Sequence, residues 1–414
     1  MFFTDCLPDC PIPIPGSNFL ENGGIPNILA PLDTPEHARA AIATYIPDIE
    51  RPYVQTSTFE FEHEISKGFT FTGRYLHTKG THLSIQARLN APIVPPMSSF
   101  LPTFFNPSEV PGQSILDTMP TLSEFLAQVV PPFAQYGFSG LLTTHLPIGN
   151  STYDAGSFEI ARRFSSGFQM DANYTWSKFI DQGTNEFFNS FINPRRPQDW
   201  RNLANERGLS VLDVPHRFVV HAVWDTPWFR NGSGVSRGLL GNWTIAGSYA
   251  VSSGQPFTAL SVANSVGNGD RQVQRTIINP TASNDTGTDV TPVTNSGGDV
   301  VAYLALDSTS RFVRAQTGSF PTARRNNLRA PGISNVDFAV SKNITFGEQM
   351  SLQFGAQFFN LLNHPQFTAA NLLAVDPGLG LNYGFVASPS FNDMKGSGGT
   401  GGARLIQLIA KFSF

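Results

Sequence analysis

Apolar and polar residues alternate with period two in nine separate stretches of this chain. The cleanest runs from Phe168 to Ser177, where Phe168, Met170, Ala172, Tyr174 and Trp176 alternate with Gln169, Asp171, Asn173, Thr175 and Ser177. Strand side chains point to opposite faces in turn, so this pattern predicts a strand with one face for hydrocarbon and one for water. The stretch Tyr53–Ile65 sets Phe59, Phe61 and Ile65 against Thr58, Glu60, Glu62 and Glu64, and Phe69–Tyr75 returns after the turn Ser66-Lys67-Gly68. Tyr153–Phe164 leads through Ser165-Ser166-Gly167 into Phe168, a second predicted hairpin. Residues 217–225 and 243–252 continue the series, as do Val336–Asn343 and Met350–Phe358 across the turn Gly347-Glu348-Gln349. The last residues, Leu405–Phe414, put Ile406, Leu408, Ala410, Phe412 and Phe414 on one face, with Gln407, Lys411 and Ser413 on the other and Leu405 and Ile409 as apolar exceptions there.

The connections sort by length. Short turns follow Ile65, Phe164, Trp228 and Ile344, and loops of tens of residues follow Thr78, Ser177, Ser253 and Asn360. A soluble sandwich has no reason for this sorting, whereas an outer-membrane barrel has short periplasmic turns and long extracellular loops. About ten residues suffice for a tilted strand to cross the bilayer. Aromatics at strand ends (Tyr53, Tyr75, Trp176, Trp224, Trp228, Trp243) suit the girdles at the two interfaces. The predicted fold is therefore all-β: an antiparallel, up-and-down transmembrane β-barrel, here about nine strands of it.

Composition agrees with this. Charged residues make up 14% and aromatics 12%, with 35 Phe, 37 Gly and 31 Pro, a mixture that favours strands and turns over helices. A net charge of −4 offers no basic stripe, so nucleic acid is not an expected partner. No apolar run is long enough for a transmembrane helix. Between the strands, Lys79–Ser151 and Gly254–Gly332 show no sustained alternation and read as long loops, with one helix expected near Thr121–Val130. Residues 1–52 read as a Pro- and Gly-rich leader segment within an extracellular loop, with a short helix capped by Thr34 and running from Pro35 towards Tyr45. Cys6 and Cys10 are the only cysteines, too few and wrongly spaced for a metal or redox site. The domain reading is thus 1–52 as leader and 53–414 as barrel.

Candidate chemistry is sparse. Asp213, His216 and Arg217, with Glu206 and Arg207, bring acid, imidazole and guanidinium close in sequence, but no nucleophile motif accompanies them. They read as an ion-pair network at a strand–loop junction. Arg195, Arg196, Arg324 and Arg325 are candidate loop contacts for anionic ligands, because the guanidinium fork matches phosphate and carboxylate. The Asn264–Asp299 loop holds oxygen ligands without a calcium-loop pattern. No catalytic residue, metal ligand or cofactor is expected, and the protein is read as a non-enzyme.

Several motifs carry a resemblance: Tyr174–Asp181 (Y-T-W-S-K-F-I-D), Glu206–Val220 (E-R-G-L-S-V-L-D-V-P-H-R-F-V-V), Ser253–Thr258 (S-G-Q-P-F-T), Asn327–Asn343, Gln357–Phe367 and the closing K-F-S-F. In this order they resemble the barrel of Oar-like TonB-dependent transporters of Acidobacteria, over most of Pro52–Phe414. The resemblance implies an outer-membrane location, a periplasmic C-terminus and a TonB-type energising partner. It also implies that Phe414, Phe412, Ala410, Leu408 and Ile406 form a strand read by the barrel assembly machinery. The family's signal peptide, plug and remaining strands have no counterpart here. The expectation is therefore a C-terminal barrel fragment, an open curved sheet in contact with outer-membrane lipid, not competent alone to take up the family's bulky nutrient. The alternatives are a surface adhesion or binding protein acting through its loops, or a soluble β-rich carbohydrate-binding protein.

Overall fold

A computed structural model of the chain describes residues 35–39, 44, 46, 49–66, 68–183, 196–229, 232, 234–270, 274–346, 350–366, 385–388, 391 and 402–414. Cys6, Cys10, Thr34 and the turn 347–349 lie outside these residues. Strands β1 (Tyr53–Ser66), β2 (Phe69–Arg88), β3 (Thr103–Phe104), β4 (Thr143–Ser165), β5 (Phe168–Asp181), β6 (Gly208–Leu209), β7 (His216–Asp225) and β8 (Trp243–Ser252) are followed by a run of short ones. These are β9 (Pro256–Phe257), β10 (Ile277–Ile278), β11 (Asn284–Thr288), β12 (Val290–Thr294), β13 (Val300–Ala305), β14 (Ser310–Val313) and β15 (Leu328–Arg329). The long strands β16 (Ile333–Phe346), β17 (Met350–Phe359) and β18 (Leu405–Ser413) complete the chain.

The nine long strands form one antiparallel sheet in the order β1-β2-β4-β5-β7-β8-β16-β17-β18, with β6 added beside β5. Each long strand lies beside the next long strand in sequence, so the sheet runs up and down without a crossover. Among the described residues β1 pairs only with β2, and β18 only with β17, which leaves the sheet open at both edges.

Register aligns the apolar residues into one face. Across β1 to β7, Phe61, Gly73, Phe158, Tyr174 and Phe218 stand in a single row. From β7 to β18, Trp224, Ile245, Val340, Ala356 and Leu408 stand in another. The opposite face carries the glutamate row, where Arg74 Nε donates to Glu60 at 2.6 Å. The turn between β4 and β5 shows why this hairpin is tight: Ser166 and Gly167 both have positive φ (53° and 79°), the geometry that matches the twist of paired strands. A Cβ at Gly167 would also lie 2.7 Å from the Asp225 carbonyl oxygen, so the position excludes other residues.

Two expectations are corrected. The segment Lys79–Ser151 is not loop throughout, since β2 extends to Arg88 and β4 begins at Thr143, paired as far as Arg88 with Thr143. Neither face of these paired strand ends carries a continuous apolar row, so the alternation that reveals a strand lapses while the ladder continues. The segment Gly254–Gly332 carries β9 to β15 in small sheets, again too short to show a period. With residues 89–142 these strands build a folded cap at the long-loop side of the sheet, whose core includes Phe100, Leu101, Phe125, Val266, Ile277 and Val313. The expected helix near Thr121 is Leu122–Gln128; Thr121 accepts from the Glu124 amide at 3.2 Å and Glu124 accepts from the Thr121 amide at 2.9 Å. The first short helix is described over Pro35–Arg39, and a further one, Gly234–Leu240, lies between β7 and β8.

Candidate functional site

The cap is joined to the sheet by buried ion pairs, and the sequence separates every pair widely. Arg196 donates through Nη2 to Asp270 at 3.1 Å and through Nη1 to Gln86 of β2 at 2.8 Å. Arg275 Nη1 reaches Glu206 at 3.2 Å, while its Nε donates to Gln198 at 3.1 Å. Arg325 Nη2 donates to Asp181 at the end of β5. Arg329 Nη2 donates to Asp213 at 2.6 Å. These guanidinium–carboxylate pairs are charge-assisted, and each satisfies groups that would otherwise be buried and unpaired.

Three of the quoted motifs meet at one of these pairs. Asp213 comes from the segment before β7, Gly254 from the one after β8 and Arg329 from β15. Arg329 Nη1 donates to the Gly254 carbonyl at 2.7 Å, and the Ala330 amide donates to the Gln255 carbonyl at 2.9 Å. A Cβ on Gly254 would collide with the Ala330 carbonyl oxygen. The motifs therefore fold as a clasp between sheet and cap. The network expected around Glu206 and Asp213 exists, but its partners are cap arginines, and His216 instead stacks on Tyr174 with Nδ1 2.9 Å from the hydroxyl.

Beside this clasp lies a cleft of about 940 Å3 between the end of β5, residues 198–209 and residues 320–327. Asn202, Arg207, Phe320, Arg324 and Asn327 border it. Arg324 is exposed on its rim, whereas the adjacent Arg325 is buried, as is Arg196. Of the four arginines nominated from sequence, Arg196 and Arg325 thus serve internal carboxylates, Arg324 faces solvent at the cleft, and Arg195 lies outside the described residues. Two buried donors at the cleft, Arg325 Nη1 and Asn327 Nδ2, have no hydrogen-bond partner among the described residues. Among the described residues no three His, Cys, Asp or Glu side chains gather as a metal ion would need. Within the cap, burial pushes the Tyr303 hydroxyl up to about 12, and it donates to the Thr317 carbonyl at 2.7 Å.

The apolar face ends at two cations on the short-turn side of the sheet. Arg162 is in the apolar register near the short turns, its guanidinium 5.1 Å from the ring centroids of both Phe69 and Phe168. Lys342 sits likewise over Trp243 at 5.0 Å, its ammonium donating to the Gly241 carbonyl at 2.6 Å. Such cations, with apolar stems and heads turned to the interface, mark the edge of a hydrocarbon layer. The sequence pattern had no place for them. Of the closing-strand residues, Ile406, Leu408, Ala410 and Phe412 pair with Phe358, Ala356, Phe354 and Leu352 of β17, and Phe414 stacks on Phe412 at 5.9 Å.

Comparison with known proteins places this architecture. A family model described as an outer membrane beta barrel domain matches residues 11–407. No curated protein matches the chain. Among solved structures, FpvA of P. aeruginosa, bound to heterologous pyoverdine and iron, is similar at 9% identity and a TM-score of 0.35, over 87% of this chain and 27% of its own. The outer membrane transporter YddB from Escherichia coli is similar at 7% identity and a TM-score of 0.37, over 90% of this chain and 34% of its own. The chain thus spans about a third or less of either structure. With one continuous apolar face bounded on its short-turn side by interfacial cations, and a family model that covers nearly the whole chain, the protein resides in the outer membrane and belongs to the outer membrane beta barrel domain family.

Proposed function

We propose that the chain supplies part of the wall and the outer cap of a TonB-dependent receptor that takes up a bulky nutrient. The observation that carries this reading is the one-sided elaboration of the sheet. At one end the hairpins β1–β2 and β4–β5 turn tightly, although β7 and β8 are joined there through residues 226–242 with the helix Gly234–Leu240 and not by the short turn expected after Trp228. The loops at the other end fold into a cap with its own core and a cleft of about 940 Å3 rimmed by Arg207 and Arg324. A receptor needs such a surface for capture, and a closed pore needs none. The reading includes no catalysis, and it gives the cleft the role of first contact with ligand. It also implies an energising inner-membrane partner and a plug.

The reading further includes strands beyond these nine. An open edge in hydrocarbon leaves on the order of five backbone groups unpaired, half of a ten-residue crossing. At several kcal/mol each, two edges cost tens of kcal/mol, well above the ~5–15 kcal/mol that holds a domain folded. The test uses cells that produce the protein, a panel of fluorescent chelates and oligosaccharides, and an uncoupler. Uptake should need the energising partner and should fall in Arg324→Glu. Surface binding that the uncoupler leaves intact, with no entry in any condition, would favour an adhesion protein instead.

A further inference from the structure

The apolar face contains a groove that alternation alone does not require. Gly73 of β2 pairs with Phe158 of β4, and Tyr75 pairs with Gly156, so the two glycines lie diagonally next to each other on that face. Neither has positive φ. A Cβ at Gly156 would meet nothing nearer than the Phe158 ring at 3.9 Å, and one at Gly73 nothing nearer than the Phe71 ring at 3.5 Å. No turn, strain or clash accounts for glycine there, although glycine weakens a strand. What the two positions create is space. A groove of about 570 Å3 runs over them, walled by Phe59, Phe61, Tyr75, Phe158 and Trp176.

The groove leads from hydrocarbon to charge. The row Tyr75, Gly156, Trp176 is followed on the same face by His77, Asp154 and Lys178, and then by Lys79. Asp154 is already engaged: it accepts from the Tyr75 hydroxyl at 2.9 Å and lies 2.8 Å from His77 Nδ1. Lys79 and Lys178 are exposed and make no ion pair or hydrogen bond with described residues. Lys178 borders both this groove and the cleft of the cap. These rows lie at the long-loop ends of the strands, the ends that face outward in outer-membrane barrels.

We propose that this groove is a binding site for a phosphate-bearing acylated lipid of the outer leaflet. One acyl chain lies over Gly73 and Gly156 between the aromatic walls, and the phosphate meets Lys178 and Lys79 as point charges. The combination of an apolar trough in the lipid-facing surface with two unpaired cations at its outer mouth fits this occupant. A soluble anion would have no use for the trough, and a protein partner would have none for its depth. The proposal is independent of the receptor reading.

The test is native mass spectrometry of the protein extracted from outer membranes into mild detergent, with bound lipid identified and its phosphate counted. Wild type should retain one phosphate-bearing acylated lipid. Gly156→Leu, which fills the trough, and Lys178→Glu, which reverses the outer charge, should each lower retention by about fivefold or more. Gly247→Leu, on the same face away from the groove, should retain lipid as wild type does. Lys178→Glu alters an exposed residue and carries the test if Gly156→Leu does not assemble. Wild type free of phosphate-bearing lipid, both variants retaining it fully, or a protein copurifying in the groove would each overturn the proposal.

Discussion

Arg329 and Asp213, 116 residues apart, meet at 2.6 Å between Arg329 Nη2 and Asp213 Oδ2, with the carboxylate almost fully buried. Asp213 also accepts the Phe179 amide at 2.8 Å. One carboxylate therefore ties β5 and the segment before β7 to the cap. Asp213→Ala would leave the Phe179 amide without its acceptor and remove the carboxylate from the partly exposed Arg329, which keeps the Gly254 carbonyl. The loss stays below the ~3–5 kcal/mol of a fully buried pair broken from one side. Limited proteolysis of the 254–332 segment on intact cells should show earlier cutting in Asp213→Ala than in wild type. Equal protection would mean that the cap is held by other contacts.

The two faces of the sheet should respond differently to charge. Ala172→Arg or Phe354→Arg places a cation in hydrocarbon near mid-strand, at a cost of about 2–4 kcal/mol at the bilayer midplane. Asn173→Arg lies on the polar face between Glu159 and Val219 and should be mild. Membrane-integrated yield is the measurement, and equal losses on both faces would contradict the assigned register.

The closing strand is expected to govern assembly. Leu408 is 80% exposed and Phe412 55% exposed, on a strand that among the described residues pairs with β17 alone. Deleting Phe414, or exchanging Lys411 with Phe412 so that the charge turns to the apolar side, should lower surface assembly several-fold while leaving translation unchanged. Pulse-chase heat-modifiability assays read this directly, and normal assembly of both variants would remove the role.

The cap should be sensitive to alkali. Tyr303 has an ordinary value near 10 when unfolded and about 12 in the fold, because burial disfavours the phenolate. The unfolded chain therefore loses this proton first as pH rises. The Tyr303 contribution to stability is complete below pH 10 and is lost progressively between about 10 and 12. Tyr303→Phe should flatten that part of the profile, measured as protease sensitivity of the cap against pH. An unchanged profile would place the alkaline transition elsewhere.

The sequence by itself determined the membrane part. Hydrocarbon on one side and water on the other favour period two on every crossing strand, so Phe168 to Ser177 could be read residue by residue and Leu405 to Phe414 with Leu405 and Ile409 as exceptions. The sorting of loops gave the sheet its direction. The cap was not legible, because nothing imposes a period on strands as short as β9 and β10, or on the ends of β2 and β4, where neither face carries a continuous apolar row. The motif residues Asp213, Gly254 and Arg329 were visible as words but not as a clasp, since their meeting depends on the register of β7, β8 and β16. Arg196 and Arg325 looked like ligand contacts because a guanidinium in a loop has no sequence mark for the carboxylate that will bury it. The groove over Gly73 and Gly156 appeared only when pairing set the two glycines side by side. Alternation is a local demand of the solvent and is written in the chain, whereas ion pairs, clefts and grooves are made by residues that only folding brings together.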